Sequence, residues 1–182
     1  MNKTIRTQLD NIRADDAQVQ TQAYFYLMEK TEQPVDWAYA AWDELVAGLT
    51  HKDNHTRAIA AQVLANLARS DPKGRMLKDF EALLTVTYDD RFVTARHCLQ
   101  SLWKVGLGGR KQQDATLEGF TRRFADCADE KAVSIIRADI IQGLKNLYAA
   151  TTREQFKTTA LALIETEPDA KLRKKYASVW RK

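Results

Sequence analysis

An internal repeat constrains this chain more than any other feature. Five acid-led segments open at Asp15-Asp16, Asp53, Asp89-Asp90, Asp129-Glu130 and Asp169. They align on Gln20, Arg57, Arg96, Arg137 and Arg173, at spacings of 37, 39, 41 and 36 residues. Three residues after each aligned position comes Ala23, Ala60, Leu99, Ile140 or Tyr176, and seven after comes Leu27, Leu64, Trp103, Leu144 or Trp180. Residues at i, i+3 and i+7 share one face of an α-helix, and no segment shows the period of two expected of a strand. A second helix, predicted over 36–48, 75–87, 114–127 and 153–165, precedes the last four segments. Its core stripe is visible as Trp37, Ala41 and Leu45, as Met76, Phe80 and Leu83, as Leu117, Phe120 and Phe124, and as Phe156, Ala160 and Leu163. Ile5, Leu9 and Ile12 place a further helix before residues 16–30 and complete a first hairpin. A two-helix unit of about 40 residues cannot bury its apolar face alone, so such units must stack.

Punctuation agrees with this division. Pro34, Pro72 and Pro168 all fall between apolar-periodic segments, where proline ends or starts helices. Asp71-Pro72 predicts a capping carboxylate before an N1 proline, Thr151-Thr152-Arg153-Glu154 predicts a capping box, and the paired acids predict caps for the alternate helices. Gly106-Leu107-Gly108-Gly109-Arg110-Lys111 follows a predicted helix and lacks phosphate-loop spacing, which predicts a C-cap and a flexible basic loop. With 45% hydrophobic and 29% charged residues, the chain has the composition of a globular domain. Cys98 and Cys127 lack a CxxC partner and read as buried thiols in a reducing, cytoplasmic setting. The absence of an apolar leader or of 18 consecutive apolar residues argues against secretion and membrane insertion.

The run from Asp53 to Ala68, DNHTRAIAAQVLANLA, resembles the second helix of a HEAT-repeat unit in its acid, its arginine and its small residues. The resemblance extends over nearly the whole chain. Gln20 replaces the arginine in the first unit, and Trp103 stands where leucine is usual in the third. It implies an all-α fold, a right-handed α-α superhelix: a short HEAT-like solenoid of about five helical hairpins, as one domain over 1–182. In HEAT proteins the second helices line a concave face, and the motif arginine often bonds an acid of a neighbouring unit. That is the role implied for Arg57, Arg96, Arg137 and Arg173.

Such a fold carries no function of its own. No catalytic or metal-binding motif stands out, and no cofactor or metal is expected. His51 and His55 flank Asp53, but that segment joins two helices and has no third ligand nearby in sequence. His97 and Cys98 are helix neighbours and diverge by about 100°. The favoured function is a non-catalytic protein-interaction scaffold whose concave face presents Gln62, Asn66, Gln100, Lys104, Gln142, Lys145 and Asn146. Adjacent aromatics at Tyr24-Phe25-Tyr26 cannot all enter one core, so at least one ring, Tyr26 for example, is expected at the surface.

The alternative is a nucleic-acid binder. The net charge of +4 permits it, and Arg96, Lys104, Lys145, Lys174, Lys175 and Arg181, continued by Lys182, are candidate phosphate contacts. One group of alkylpurine DNA glycosylases is built from HEAT-like repeats around a basic channel with tryptophans and a catalytic aspartate. The chain resembles them in architecture, with Trp42, Trp103 and Asp139 as residues of the required kinds. Neither a protein partner's identity nor the oligomeric state is readable from the sequence.

Overall fold

The computed structural model describes residues 1–181 and is all-helical, 78% helix, with no strand among the described residues. Ten α-helices follow in order: α1 Lys3–Asn11, α2 Ala17–Lys30, α3 Ala38–Gly48, α4 Asn54–Leu67 and α5 Met76–Thr85. They continue as α6 Phe92–Leu102, α7 Arg110–Asp126, α8 Val133–Thr151, α9 Glu154–Glu165 and α10 Ala170–Val179. Each consecutive pair from α1/α2 to α9/α10 packs as a hairpin. The second helices contact one another in series, α2 on α4, α4 on α6, α6 on α8 and α8 on α10, while α3, α5, α7 and α9 do the same on the other side. Buried side chains from all ten helices join in one continuous core.

The expected caps form at α2, α4 and α10, whereas neither Asp89-Asp90 nor Asp129-Glu130 caps α6 or α8. Asp16 accepts from the Gln18 and Val19 N–H groups, Asp53 from Thr56, and Asp169 from Lys171 and Leu172. Asp71 also caps, but across a turn with Gly74 at φ 68°: its Oδ2 accepts the Met76 N–H at 2.6 Å. The capping box at Thr151 does not form. Thr152 adopts a left-handed conformation (φ 55°) that ends α8, the Thr151 hydroxyl turns back to the Leu147 carbonyl, and Glu154 accepts the Tyr148 hydroxyl instead.

The glycine run is not a flexible loop. Trp103–Gly108 winds into a 3₁₀ turn, and a Cβ on Gly108 would lie 2.6 Å from the Ala68 carbonyl oxygen, so only glycine admits this approach. Gly109 then turns at φ 134°, and α7 opens at Arg110, four residues earlier than its apolar stripe suggests.

Polar ladders tie unit to unit on both sides. Along the second helices, the Gln20 amide reaches the α4 cap acid Asp53 at 3.1 Å, the Arg57 guanidinium grips Asp89 through two nitrogens, and Arg137 reaches Glu167 at 2.8 Å. Arg96 departs from the pattern. It pairs with Asp139 within α8 at 2.8 Å, while the Glu130 carboxylate ahead of α8 takes Arg123, a buried arginine of α7. On the opposite side, Glu44 accepts from Arg6 and Arg13, Arg75 pairs with Asp43, Arg122 with Glu81, and Arg153 with Asp114. The Arg57 pair is the most enclosed of these after Arg137–Glu167, with the Asp89 side chain only 7% exposed.

Two consequences can be measured. A Cβ on Gly143 would fall 2.6 Å from the ring of fully buried Phe120, so Gly143→Ala is expected to destabilise by about 1–3 kcal/mol through overpacking, read from chemical denaturation. The Arg57 guanidinium holds the Asp89 carboxyl below the usual carboxylate range despite burial. The Thr56 N–H and hydroxyl and the Gln20 amide do the same for Asp53, outweighing the upward push of its burial. A carboxylate with a depressed folded-state pKa stabilises above its unfolded value of about 3.9 and loses that contribution as the pH falls through the folded value. Acid unfolding should therefore set in below about pH 4. Asp89→Asn should cost about 2 kcal/mol at neutral pH and flatten this acid dependence.

Candidate functional site

A recess of about 210 Å³ lies across α2, α4 and α6. Thr21 and Tyr24 of α2 form one wall, and Val93, Thr94 and His97 of α6 form the other. Between them Asn54, His55, Ala58, Ile59 and Gln62 of α4 make the floor. Two-thirds of this lining is explained by helical register: Thr21, Tyr24 and Met28 share a stripe on α2, as do His55, Ile59, Gln62 and Asn66 on α4 and Val93, His97 and Gln100 on α6. Phe25, its ring 5.1 Å from that of Tyr24, stands 65% exposed and Val93 of the recess wall 61% exposed, the two most exposed large apolar side chains of the described residues.

The recess mixes apolar and polar lining, with Ala58, Ile59 and Val93 beside Asn54, His55 and Gln62. The Tyr24 hydroxyl donates to Gln62 Oε1 at 3.1 Å, and partial burial pushes that hydroxyl's pKa up. The His97 imidazole, at the exposed rim, is held below the ordinary histidine value by partial desolvation and by the neighbouring Arg96 and His55. Its neutral form is therefore favoured near neutrality. Two wider recesses, of about 680 and 480 Å³, share Tyr88, Asp89 and Asp90 at the edge where the hairpin loops lie. Two of their shared groups are committed internally, Asp89 to Arg57 and Tyr88 to Asp126, with burial and that bond pushing the Tyr88 hydroxyl up to about 12.

The residues expected on a concave face divide sharply. Gln62 (7% exposed) and Asn66 (2%) are interior, so they do not form the open polar surface expected of them. Asn66 donates to Thr31 Oγ1 at 2.9 Å and to the Met28 sulfur, and only the edge of Gln62 reaches the recess. Small neighbours cause this: Ala58, Ala60, Ala61 and Ala65 bring α2, α3 and α6 so close to α4 that its polar side chains are covered. Gln100 and Gln142 are exposed, the first donating to Asp139 and the second to Asn146. Lys104, Lys145 and Asn146 are half-buried.

The candidate phosphate contacts do not form one free row. Arg96 is held by Asp139, and the Lys145 ammonium donates to the Val179 carbonyl, tying α8 to the end of α10. Lys174, Lys175 and Arg181 are exposed at the C-terminal end; Lys182 lies outside the described residues. Of the residues matched in kind to a glycosylase site, Trp42 is fully buried with its indole N–H on Asp79. Asp139 is engaged by Arg96 and Gln100, and Trp103 packs half-buried against the core. His51 turns its Nδ1 to the Asp53 N–H, and Asp53 serves as the α4 cap. Cys98 is enclosed in the core with its thiol on the Leu83 carbonyl.

The aromatic cluster at 24–26 exposes Phe25, with Tyr24 and Tyr26 half-buried. Sequence reasoning missed the recess because its lining comes from three units. No repeat signal marks it, since Tyr24, Ile59 and His97 stand four, two and one residues past the aligned positions Gln20, Arg57 and Arg96.

No family model matches the chain, and no curated protein matches it. Among solved structures, the crystal structure of an engineered protein from the Northeast Structural Genomics Consortium superposes with a TM-score of 0.56. It covers 98% of this chain and 78% of its own at 18% identity. A second engineered protein from the same consortium gives a TM-score of 0.48 at 20% identity, over 98% of this chain and 80% of its own. The first supports the fold at the level of an all-helical protein of ten mutually packed helices.

Proposed function

We propose that this chain is a non-catalytic protein-interaction module: a short HEAT-like stack of five hairpins, a right-handed α-α superhelix forming one domain, that takes a partner segment on the face of its second helices. The observation that carries this reading is the recess across α2, α4 and α6, with Phe25 and Val93 exposed beside it. A recess across three successive second helices, with exposed Val93 in its wall and exposed Phe25 next to its Tyr24, suits an apolar anchor of a helical or extended segment. Serial contact of α2, α4, α6, α8 and α10 supports a continuous groove beyond that anchor point. The internal pairing of Arg96 and Lys145 leaves less free positive charge for a nucleic-acid backbone than the sequence offers, which weighs against the alternative.

Val93→Asp tests the module directly. Val93 sits in the first turn of α6, where a carboxylate complements the helix dipole, so the fold should tolerate it while the recess gains a charge. Peptides selected from a random-sequence library on the intact protein are expected to lose about tenfold or more in affinity for the variant, with its thermal midpoint unchanged. Undiminished affinity would place partner binding elsewhere on the chain.

A further inference from the structure

The row of hairpins has two ends, and both carry groups that the inner units use to hold a neighbour. Within the row the second helices reach forward. Gln20 of α2 bonds Asp53, Arg57 of α4 bonds Asp89 and Arg137 of α8 bonds Glu167, each acid standing in the lead-in to the next second helix. Arg173 holds the same register on α10. No unit follows it, and it forms no ion pair among the described residues. The first helices repeat this asymmetry. Met76, Phe80 and Leu83 of α5 match Phe156, Ala160 and Leu163 of α9 in spacing, so exposed Leu161 occupies the register of Glu81, whose carboxylate takes Arg122 of the following unit.

The first hairpin carries the complementary half. Asp16 and Asp53 both stand four residues before the aligned position and both cap their helices. Asp53 also accepts the Gln20 amide of the preceding unit, whereas Asp16 accepts only the N–H groups of Gln18 and Val19 among the described residues, both on Oδ1. Phe25 lies five residues past Gln20, as Gln62 lies five past Arg57, and Gln62 meets Tyr24 of the preceding unit. Phe25 thus turns to a side where no unit stands, which accounts for its exposure. Charge divides the same way. Residues 171–182 contain six basic groups and no acid, residues 1–36 contain four basic and six acidic groups, and the residues between them balance.

We infer that the chain associates head to tail with a second copy of itself, the α9/α10 end of one against the α1/α2 end of the next. Arg173 then reaches Asp16 of the next copy as Arg57 reaches Asp89 within the chain, and the junction withdraws Leu161 and Phe25 from water. A terminal unit of a stacked array stays solitary when its outer face is polar, and neither end here is wholly so. The two contacting patches differ, so each added copy offers a fresh end and growth continues past the dimer. This goes beyond the proposed function. None of Asp16, Phe25, Leu161 and Arg173 lines the recess, and Val93→Asp is expected to leave the association unchanged, so the two readings stand or fall separately.

The test is analytical ultracentrifugation of the full chain over about three decades of concentration, where the average mass should rise steadily and pass that of a dimer. Arg173→Glu and Leu161→Asp at one end, and Asp16→Asn and Phe25→Asp at the other, should each weaken association about tenfold or more, with the thermal midpoint in dilute solution unchanged. Asparagine caps a helix as well as aspartate does, so Asp16→Asn removes the charge and keeps the cap. An equimolar mixture of Arg173→Glu and Phe25→Asp should form a one-to-one dimer that grows no further, because each variant keeps one intact end and those two ends are complementary. A parent chain that stays monomeric at the highest concentration overturns the inference. So does a dimer of fixed size that survives Phe25→Asp, since like ends would then be paired. A chain that remains monomeric yet binds a labelled single-stranded oligonucleotide through Arg173 would assign the basic end to phosphate and refute the junction.

Discussion

The structure depends on how closely α4 can be surrounded. Thr56 and every residue from Ala58 to Leu67 are buried, which happens only if neighbours approach on three sides of the helix. Alanines at 58, 60, 61 and 65 make that approach geometrically available, and α2, α3 and α6 take it up. At the α3 contact the fit is tight enough that a Cβ on Gly48 would lie 2.8 Å from that of Ala60. Since each later unit is placed on the one before it, the position of α4 propagates into α6 and α8. The recess is a product of the same packing: it remains where the side chains of α2 and α6 diverge above a floor of small and medium residues.

Apolar packing alone leaves helices free to slide along one another, and the polar ladders remove that freedom. Bonds from Gln20 to Asp53, from Arg57 to Asp89 and from Arg137 to Glu167 join the body of one second helix to the lead-in of the next. Each bond is local in space but spans about 30 residues or more of sequence, so it sets the register between units. These groups are enclosed, and breaking one member would strand the other, which makes the ladder a specifier of arrangement more than a large source of net stability. The exception at Arg96 falls at the longest spacing, 41 residues between the third and fourth units, and Arg123 takes the acid ahead of α8 in its place.

The two features without an internal purpose therefore stand out against an otherwise well-satisfied interior. Most buried polar groups find partners, as Thr56 does on the Ile12 carbonyl, Tyr176 on the Ser134 carbonyl and Trp42 on Asp79. Half-buried Lys104 donates to no acceptor among the described residues, and the recess of Tyr24, Ile59 and Val93 is left uncovered. Both belong to α2, α4 and α6 or their immediate ends, which places this part of the unspent interaction potential on the N-terminal half of one face.

Helix content, the hairpin division and the arginine-to-acid pairing of Arg57 and Arg137 were legible in the sequence, because they depend on periodicity and on residue types repeated at near-constant spacing. So were the caps at Asp16, Asp53 and Asp169, where a carboxylate need only reach two or three residues ahead. What depended on distance between units was not legible. The burial of Gln62 and Asn66 follows from how near alanine-lined helices come together, a quantity no single unit encodes. The packing of Gly108 against Ala68 and of Gly106 against Leu147, the diversion of Arg96 to Asp139 and the loss of Lys145 to the Val179 carbonyl likewise depend on distance between units. The sequence by itself determined which residues could face inward along each helix. Only the tertiary structure decided which of them remained uncovered, because coverage is set by the neighbour's backbone and not by the residue's own.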